Sequence, residues 1–215
     1  MNYVEITYKN HDYTSYPYKL IDYLFKRYHL KEGHNLLDIG CGRGEFSKAF
    51  QTKQLKVTSI DRIYNEDYHK DLNFYKFDLE KPIKIKSTFD IIFCKSVLEH
   101  IVNQEIFMNS IKNLMSKNGL IIMLVPDWDN QKNIFYDDPT HIHPYNQKSM
   151  KDLLEIYGFK NVQSEKFYQL PLVWKYYMFK ILCKSIGLIL KPEHYLKNKT
   201  LHWAVENMIL ATGRK

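Results

Sequence analysis

The 215-residue sequence predicts an α/β domain, a mainly parallel sheet with helices on both faces. Three observations predict it. Short apolar segments alternate along the chain with amphipathic segments of helical spacing. Residues 120–125 form an unbroken apolar run, and residues 89–94 are apolar but for Asp90, as strands buried on both faces are. The first apolar segment enters Gly40-Cys41-Gly42-Arg43-Gly44 and then a stretch with Phe46, Ala49 and Phe50 at helical spacing, so a strand, a tight turn and a helix follow in order.

Each element has its own signal. Residues up to 13 read as an arm or lid, and Tyr8, Tyr13, Tyr16 and Tyr18 are the tyrosines placed to close as one. Ile21, Leu24, Phe25 and Tyr28 predict a helix over 18–28, so that residues 1–30 form an N-terminal arm and helix. Strands are expected at 35–39, 55–60, 74–77, 89–94 and 120–125, the last closed by Pro126. Between the fourth and fifth, Phe107, Ile111, Leu114 and Met115 mark a helix that Gly119 should stop. Asn146 should cap a helix bearing Met150, Leu153, Leu154 and Tyr157, ended by Gly158. The last strands fall at 159–167 and 207–212, and the 170–201 segment between them is an insertion in an otherwise single domain spanning 1–215. Residues 171–190 read as one helix with a broad apolar face, with Lys180, Lys184 and Lys191 on one side. Its face is expected to be covered by its own domain, a second subunit or an anionic membrane surface; the lysines argue against a membrane span.

The glycine spacing is G-x-G-x-G, with Glu45 where a dinucleotide fingerprint needs a third glycine. Asp38, just ahead of the loop, would repel a pyrophosphate but suits a cationic nucleoside such as S-adenosylmethionine. Asp61 lies 23 residues beyond Asp38 at a strand end, where a carboxylate accepts from both ribose hydroxyls.

This D-x-G-x-G-x-G run resembles the first motif of class I S-adenosylmethionine-dependent methyltransferases, and Val97-Leu98-Glu99-His100 is similar to their junction after the fourth strand. The resemblance implies a doubly wound, Rossmann-like seven-stranded sheet in the order 3-2-1-4-5-7-6, with the last strand antiparallel. It implies S-adenosylmethionine as cofactor, held by Asp38, Gly40, Cys41, Gly42, Gly44, Asp61, Arg62, Asp78, Leu79 and Lys95. Asp78 would accept from the adenine amino group, and the Leu79 N–H would meet a ring nitrogen. The run Asp138-Pro139-Thr140-His141, then Tyr145 and Gly158-Phe159, is similar to a feature of bacterial small-molecule and glycan O-methyltransferases. His141, with His143 second, is then the candidate base for an acceptor hydroxyl, and His100 and Tyr145 are candidate substrate contacts. Some relatives carry E-x-x-E-H and bind a divalent ion. Ser96 stands in place of the first Glu here, so no metal is expected, although Glu99, His100 and His141 remain able to converge.

The expected reaction is methyl transfer to a hydroxyl of a sugar, glycan or other small molecule. A lipid or quinone acceptor, an RNA acceptor and a non-catalytic cofactor-binding scaffold are the alternatives. The net charge of +7 invites anionic partners, but no basic stripe or RNA-binding module accompanies it, so nucleic acid is not the expected partner. Cys41, Cys94 and Cys183 form no C-x-x-C pair, and the first ten residues carry no apolar core of a signal peptide. A cytoplasmic enzyme, with membrane contact through 171–190 in view, is the expectation.

Overall fold

Seven strands alternate with helices in the computed structural model, which describes residues 14–176, 178–192 and 198–215. The strands are β1 Asn35–Ile39, β2 Lys56–Asp61, β3 Asn73–Lys76, β4 Phe89–Lys95, β5 Met115–Pro126, β6 Lys160–Tyr168 and β7 Asn207–Arg214. The helices are α1 Tyr16–Arg27, α2 Glu45–Gln51, α3 Glu66–His69, α4 Gln104–Leu114, α5 Trp128–Gln131, α6 Gln147–Ile156, α7 Pro171–Lys175, α8 Met178–Ile189 and α9 Lys199–Val205. The strand order is β3-β2-β1-β4-β5-β7-β6, as expected. β1 pairs in parallel with β2 and β4, and β2 with β3, whereas β7 is antiparallel to both β5 and β6. The chain divides into two units, Met1–Cys94 with Glu105–Gly119, and Lys95–Gln104 with Leu120–Lys215.

In the first unit, α1 begins with Pro17 in its first turn, where the missing N–H costs nothing, and buries Leu20, Ile21 and Leu24. Tyr16 meets the ring of Phe46 edge-on at 6.5 Å, and Phe46 and Phe50 pack on Phe93 of β4 at 5.5 and 5.1 Å. These aromatic contacts fix where α2 leaves the glycine loop. Tyr18 is exposed, while Tyr8 and Tyr13 lie outside the described residues. One expectation fails here. Met115 is not helical: α4 ends at Leu114 and β5 starts at once, with the left-handed bend at Asn118 (φ 63°). Gly119 lies inside β5 rather than stopping a helix. A Cβ there would sit 3.1 Å from the Phe89 carbonyl oxygen, so the glycine permits a close backbone approach.

In the second unit, Asn146 caps α6 through Ser149 in a reciprocal capping box, and Gly158 (φ 73°) follows its end. The helix expected over 171–190 is broken. α7 ends at Lys175, and its C-cap Tyr176 is extended (φ −133°, ψ 109°) before α8 begins. Trp174 explains the break. Its indole N–H donates to the Tyr168 carbonyl (2.7 Å) and its ring stacks on Phe167 at 5.4 Å, tying α7 to the end of β6. α8 then turns Cys183 inward against Leu170 and Ala204, with Tyr168, Val173 and Trp203 around them. No helix among the described residues is long and apolar enough to cross a membrane.

Candidate active site

The glycine loop leaves β1 with Gly40, Gly42 and Gly44 all in the left-handed region (φ 66°, 55° and 74°), which side chains with a Cβ rarely adopt. Backbone contacts hold its start: the N–H groups of Gly40 and Cys41 both donate to the Ile60 carbonyl (2.8 and 3.2 Å). Asp61 holds its middle, accepting from the Gly42 N–H on one carboxylate oxygen (2.9 Å) and from the Ile63 N–H on the other (3.1 Å). His69 closes it from the far side. Its Nδ1 accepts from the Asn65 N–H, so the ring proton sits on Nε2 and donates to the Gly42 carbonyl at 2.6 Å. The ring lies flat on Phe74, 4.3 Å away. Arg43 is buried and pairs with Glu45 at 3.0 Å, and Cys41 is buried, its thiol pKa pushed up by that burial.

Asp38 is only 2% exposed. It accepts from Ser47 Oγ of α2 (2.5 Å), which in turn accepts from Ser59 Oγ of β2 (2.8 Å), so a hydroxyl chain ties three elements together. Burial raises the Asp38 carboxyl to about 7, with the Ser47 hydrogen bond acting against it. Asp78, past the end of β3, is exposed instead. Its side chain accepts from the Glu80 N–H and pairs with Lys81, which together hold its pKa below the ordinary carboxylate value. Leu79 beside it is buried and Arg62 is exposed.

The second unit carries a separate cluster. Leu98, Glu99 and His100 form one short helical turn. The Glu99 carbonyl accepts from the N–H groups of Ile142 (2.8 Å) and His143 (3.2 Å), which fastens the 138–143 loop onto that turn. Asp138 accepts from the Thr140 N–H and hydroxyl (2.9 and 2.6 Å). With its proton committed to Asp138, Thr140 Oγ1 can only accept from His100 Nδ1 at 2.9 Å. His141 Nδ1 donates to the Phe135 carbonyl at 2.6 Å. These bonds select the Nδ1–H tautomer for the neutral form of each ring, which leaves the lone pair on Nε2. The two rings are 4.7 Å apart, and one ligand atom from each of Glu99, His100 and His141 lies within 4.8 Å of the others. Glu99 is fully buried and neither carboxylate oxygen makes a hydrogen bond of good geometry; burial pushes its pKa up to about 8, with nearby backbone N–H groups and Lys95 acting against it.

The other expected residues have quieter places. His143 is half-buried beside the cluster. Tyr145 is buried; its carbonyl accepts from the Trp128 N–H and its hydroxyl from Gln104, so the contacts seen hold the loop. Lys95 ends β4 with its ammonium 3.3 Å from Ser96 Oγ. Sequence reasoning missed Ser47, Ser59 and His69. None carries a local signal, because each acts on a residue many positions away.

A methyltransferase domain family matches residues 9–164. The chain belongs to the class I S-adenosylmethionine-dependent methyltransferases. An uncharacterized protein of Methanocaldococcus jannaschii is 33% identical over 77% of this chain and 72% of its own length. A ubiquinone biosynthesis O-methyltransferase of Glaesserella parasuis is 34% identical over 42% of this chain and 44% of that protein. A pavine N-methyltransferase of Thalictrum flavum is 28% identical over 48% of this chain and 32% of that one. The chain thus spans less than half the length of these two relatives. A crystal structure of a SAM-dependent methyltransferase from Archaeoglobus fulgidus shares the fold over the full length of both chains, with a TM-score of 0.66 at 20% identity. The methyltransferase uses S-adenosylmethionine as its cofactor. The family match ends before α7, so the insertion lies outside the matched residues.

Proposed function

We propose that this methyltransferase transfers the methyl group to a hydroxyl oxygen, with a sugar, glycan or other small molecule as acceptor, and that His141 is the base. The observation that carries the reading is the Nδ1–H to Phe135 carbonyl bond, which leaves the ring its Nε2 lone pair. A hydroxyl needs a base as it attacks, and an imidazole with a set tautomer and orientation supplies one. An amine acceptor would need only to arrive neutral. His143 is the second candidate, and His100 a contact for the acceptor.

The loop residues fit the cofactor by their chemistry. Asp61, oriented by two backbone N–H groups, has lone pairs left for a ribose diol. Asp78, exposed and ionised, with the Leu79 N–H beside it, suits an adenine edge. Gly40, Cys41, Gly42 and Gly44 make a Cβ-poor border, backed by the buried Asp38 carboxyl, that suits close approach of a sulfonium ligand. Arg62 and Lys95 complete the proposed set. The bound cofactor supplies an already activated methyl group, so the protein's remaining work is to align the acceptor oxygen and take its proton.

The test is transfer of label from methyl-labelled S-adenosylmethionine to pooled acceptors. Label is expected in hydroxyl-bearing sugars and phenols; label in amines alone overturns the reading. A second reading follows from the buried Glu99 carboxylate, which makes no hydrogen bond of good geometry, and the ring nitrogens of His100 and His141 that converge with it. That set fits a divalent cation, which would lower the pKa of the acceptor hydroxyl in place of a base. Activity abolished by a chelator and restored by manganese or magnesium would select it.

A further inference from the structure

α8 shows two unlike faces. Cys183 points into the core with Leu170 and Ala204, while Met178, Ile181, Leu182, Leu188 and Ile189 point out. Leu188 and Ile189 are 75% and 79% exposed. At about 100° per residue these five, with Ser185, fall in an arc of about 120°, one continuous apolar stripe down the helix. Lys180 and Lys184 lie together on one flank of that stripe, and Lys191 continues their row past the end of α8. A stripe this apolar is uncommon on a soluble surface and marks a contact face.

The charges choose the occupant. Residues 171–192 contain four lysines and no aspartate or glutamate. In a two-fold dimer the same patch meets itself, so these lysines would find no acid of the segment to pair with. An anionic bilayer offers both complements, a hydrocarbon boundary for the stripe and negative headgroups for the ammonium groups, which long lysine stems reach from a half-sunken helix.

We propose that the outer face of α8 docks on an anionic lipid bilayer, with Met178, Ile181, Leu182, Leu188 and Ile189 at the acyl boundary and Lys180, Lys184 and Lys191 against the headgroups. The proposal rests on the insertion alone and is independent of the acceptor and of the base.

Flotation of the full chain with vesicles tests it. Co-flotation is expected with phosphatidylcholine vesicles containing phosphatidylglycerol, far less with phosphatidylcholine alone, and a decline as salt screens the lysines. Each lysine is worth about fivefold in partitioning, so Lys180→Gln with Lys184→Gln and Lys191→Gln should lose on the order of a hundredfold. Ile181→Glu with Leu188→Glu should abolish flotation at an unchanged melting temperature, since both side chains are exposed. Absence of flotation, or flotation untouched by the glutamates, overturns the proposal. So does a dimer in lipid-free solution that Leu188→Glu dissociates while the wild type stays off vesicles, which would assign the stripe to a second copy.

Discussion

Two buried acids, Asp38 beside the glycine loop and Glu99 in the histidine cluster, are raised for the same reason and used in opposite ways. Asp38 is held by Ser47, which is held by Ser59, so its carboxyl is part of the joinery of β1, α2 and β2. Glu99 uses its carbonyl to fasten the 138–143 loop and leaves both carboxylate oxygens without a hydrogen bond of good geometry. A buried carboxyl with its donors supplied is scaffold; one left without them is held ready for a proton, a cation or a substrate. The backbone does the structural work at Glu99, and a chemical use of its side chain belongs to the proposed cation reading.

The largest effect that sharpens this contrast lies beside Glu99. His141→Ala should slow single-turnover methyl transfer by roughly 10²–10⁴ while S-adenosylmethionine binding stays near wild type. A rate within a few-fold of wild type would make the Phe135–His141 bond a loop tie and remove the chemistry from the cluster.

Next comes the pH dependence set by Asp38. An acid whose folded pKa stands above its unfolded one binds its proton more tightly when folded. Its contribution is therefore full below pH 3.8, falls as the pH climbs to about 7, and levels off beyond. The gap corresponds to at most about 4 kcal/mol of stability. Denaturation at several pH values should show this slope in the wild type and not in Asp38→Asn; equal slopes would show that Asp38 stays ionised throughout.

Asp61→Ala should weaken S-adenosylmethionine binding by about 1.5–3 kcal/mol, the worth of hydrogen bonds to a charged group, and calorimetry measures it directly. A loss far below that range would mean that Asp61 serves only the Gly42 and Ile63 N–H groups. The smallest change is expected in the stability of Glu99→Gln, within about 1 kcal/mol of wild type by thermal denaturation, because the side chain it replaces has no hydrogen bond of good geometry to lose. A loss of several kcal/mol would place Glu99 with Asp38 as scaffold and end the comparison.

Much of this was legible in the sequence because it is local. β1 was expected at the residues it occupies, and the Asn146 cap and Gly158 stop bracket α6 as read, since caps and apolar spacing act over a few residues. Gly119 was misread because a Cβ there would crowd the Ser116 carbonyl at 3.0 Å and the Phe89 carbonyl at 3.1 Å, the second a neighbour only in the fold. The break in the 171–190 helix was invisible because it depends on Trp174 reaching back to Tyr168 and Phe167.

By itself the sequence determined the order of the strands, the glycine turn after β1, the acids at the ends of β1 and β2, and the family. Periodicity, glycine spacing and motif order are properties of neighbours along the chain, and they need no tertiary contact to be read. Only the tertiary structure decided which carboxyl is tied by hydroxyls and which makes no hydrogen bond of good geometry, which nitrogen of His100 and His141 keeps the lone pair, and which face of α8 turns outward. Each of these depends on a donor, acceptor or core residue brought alongside from a distant part of the chain, such as the Phe135 carbonyl, the Thr140 hydroxyl or Ala204. Their partners exist as partners only once the chain has folded.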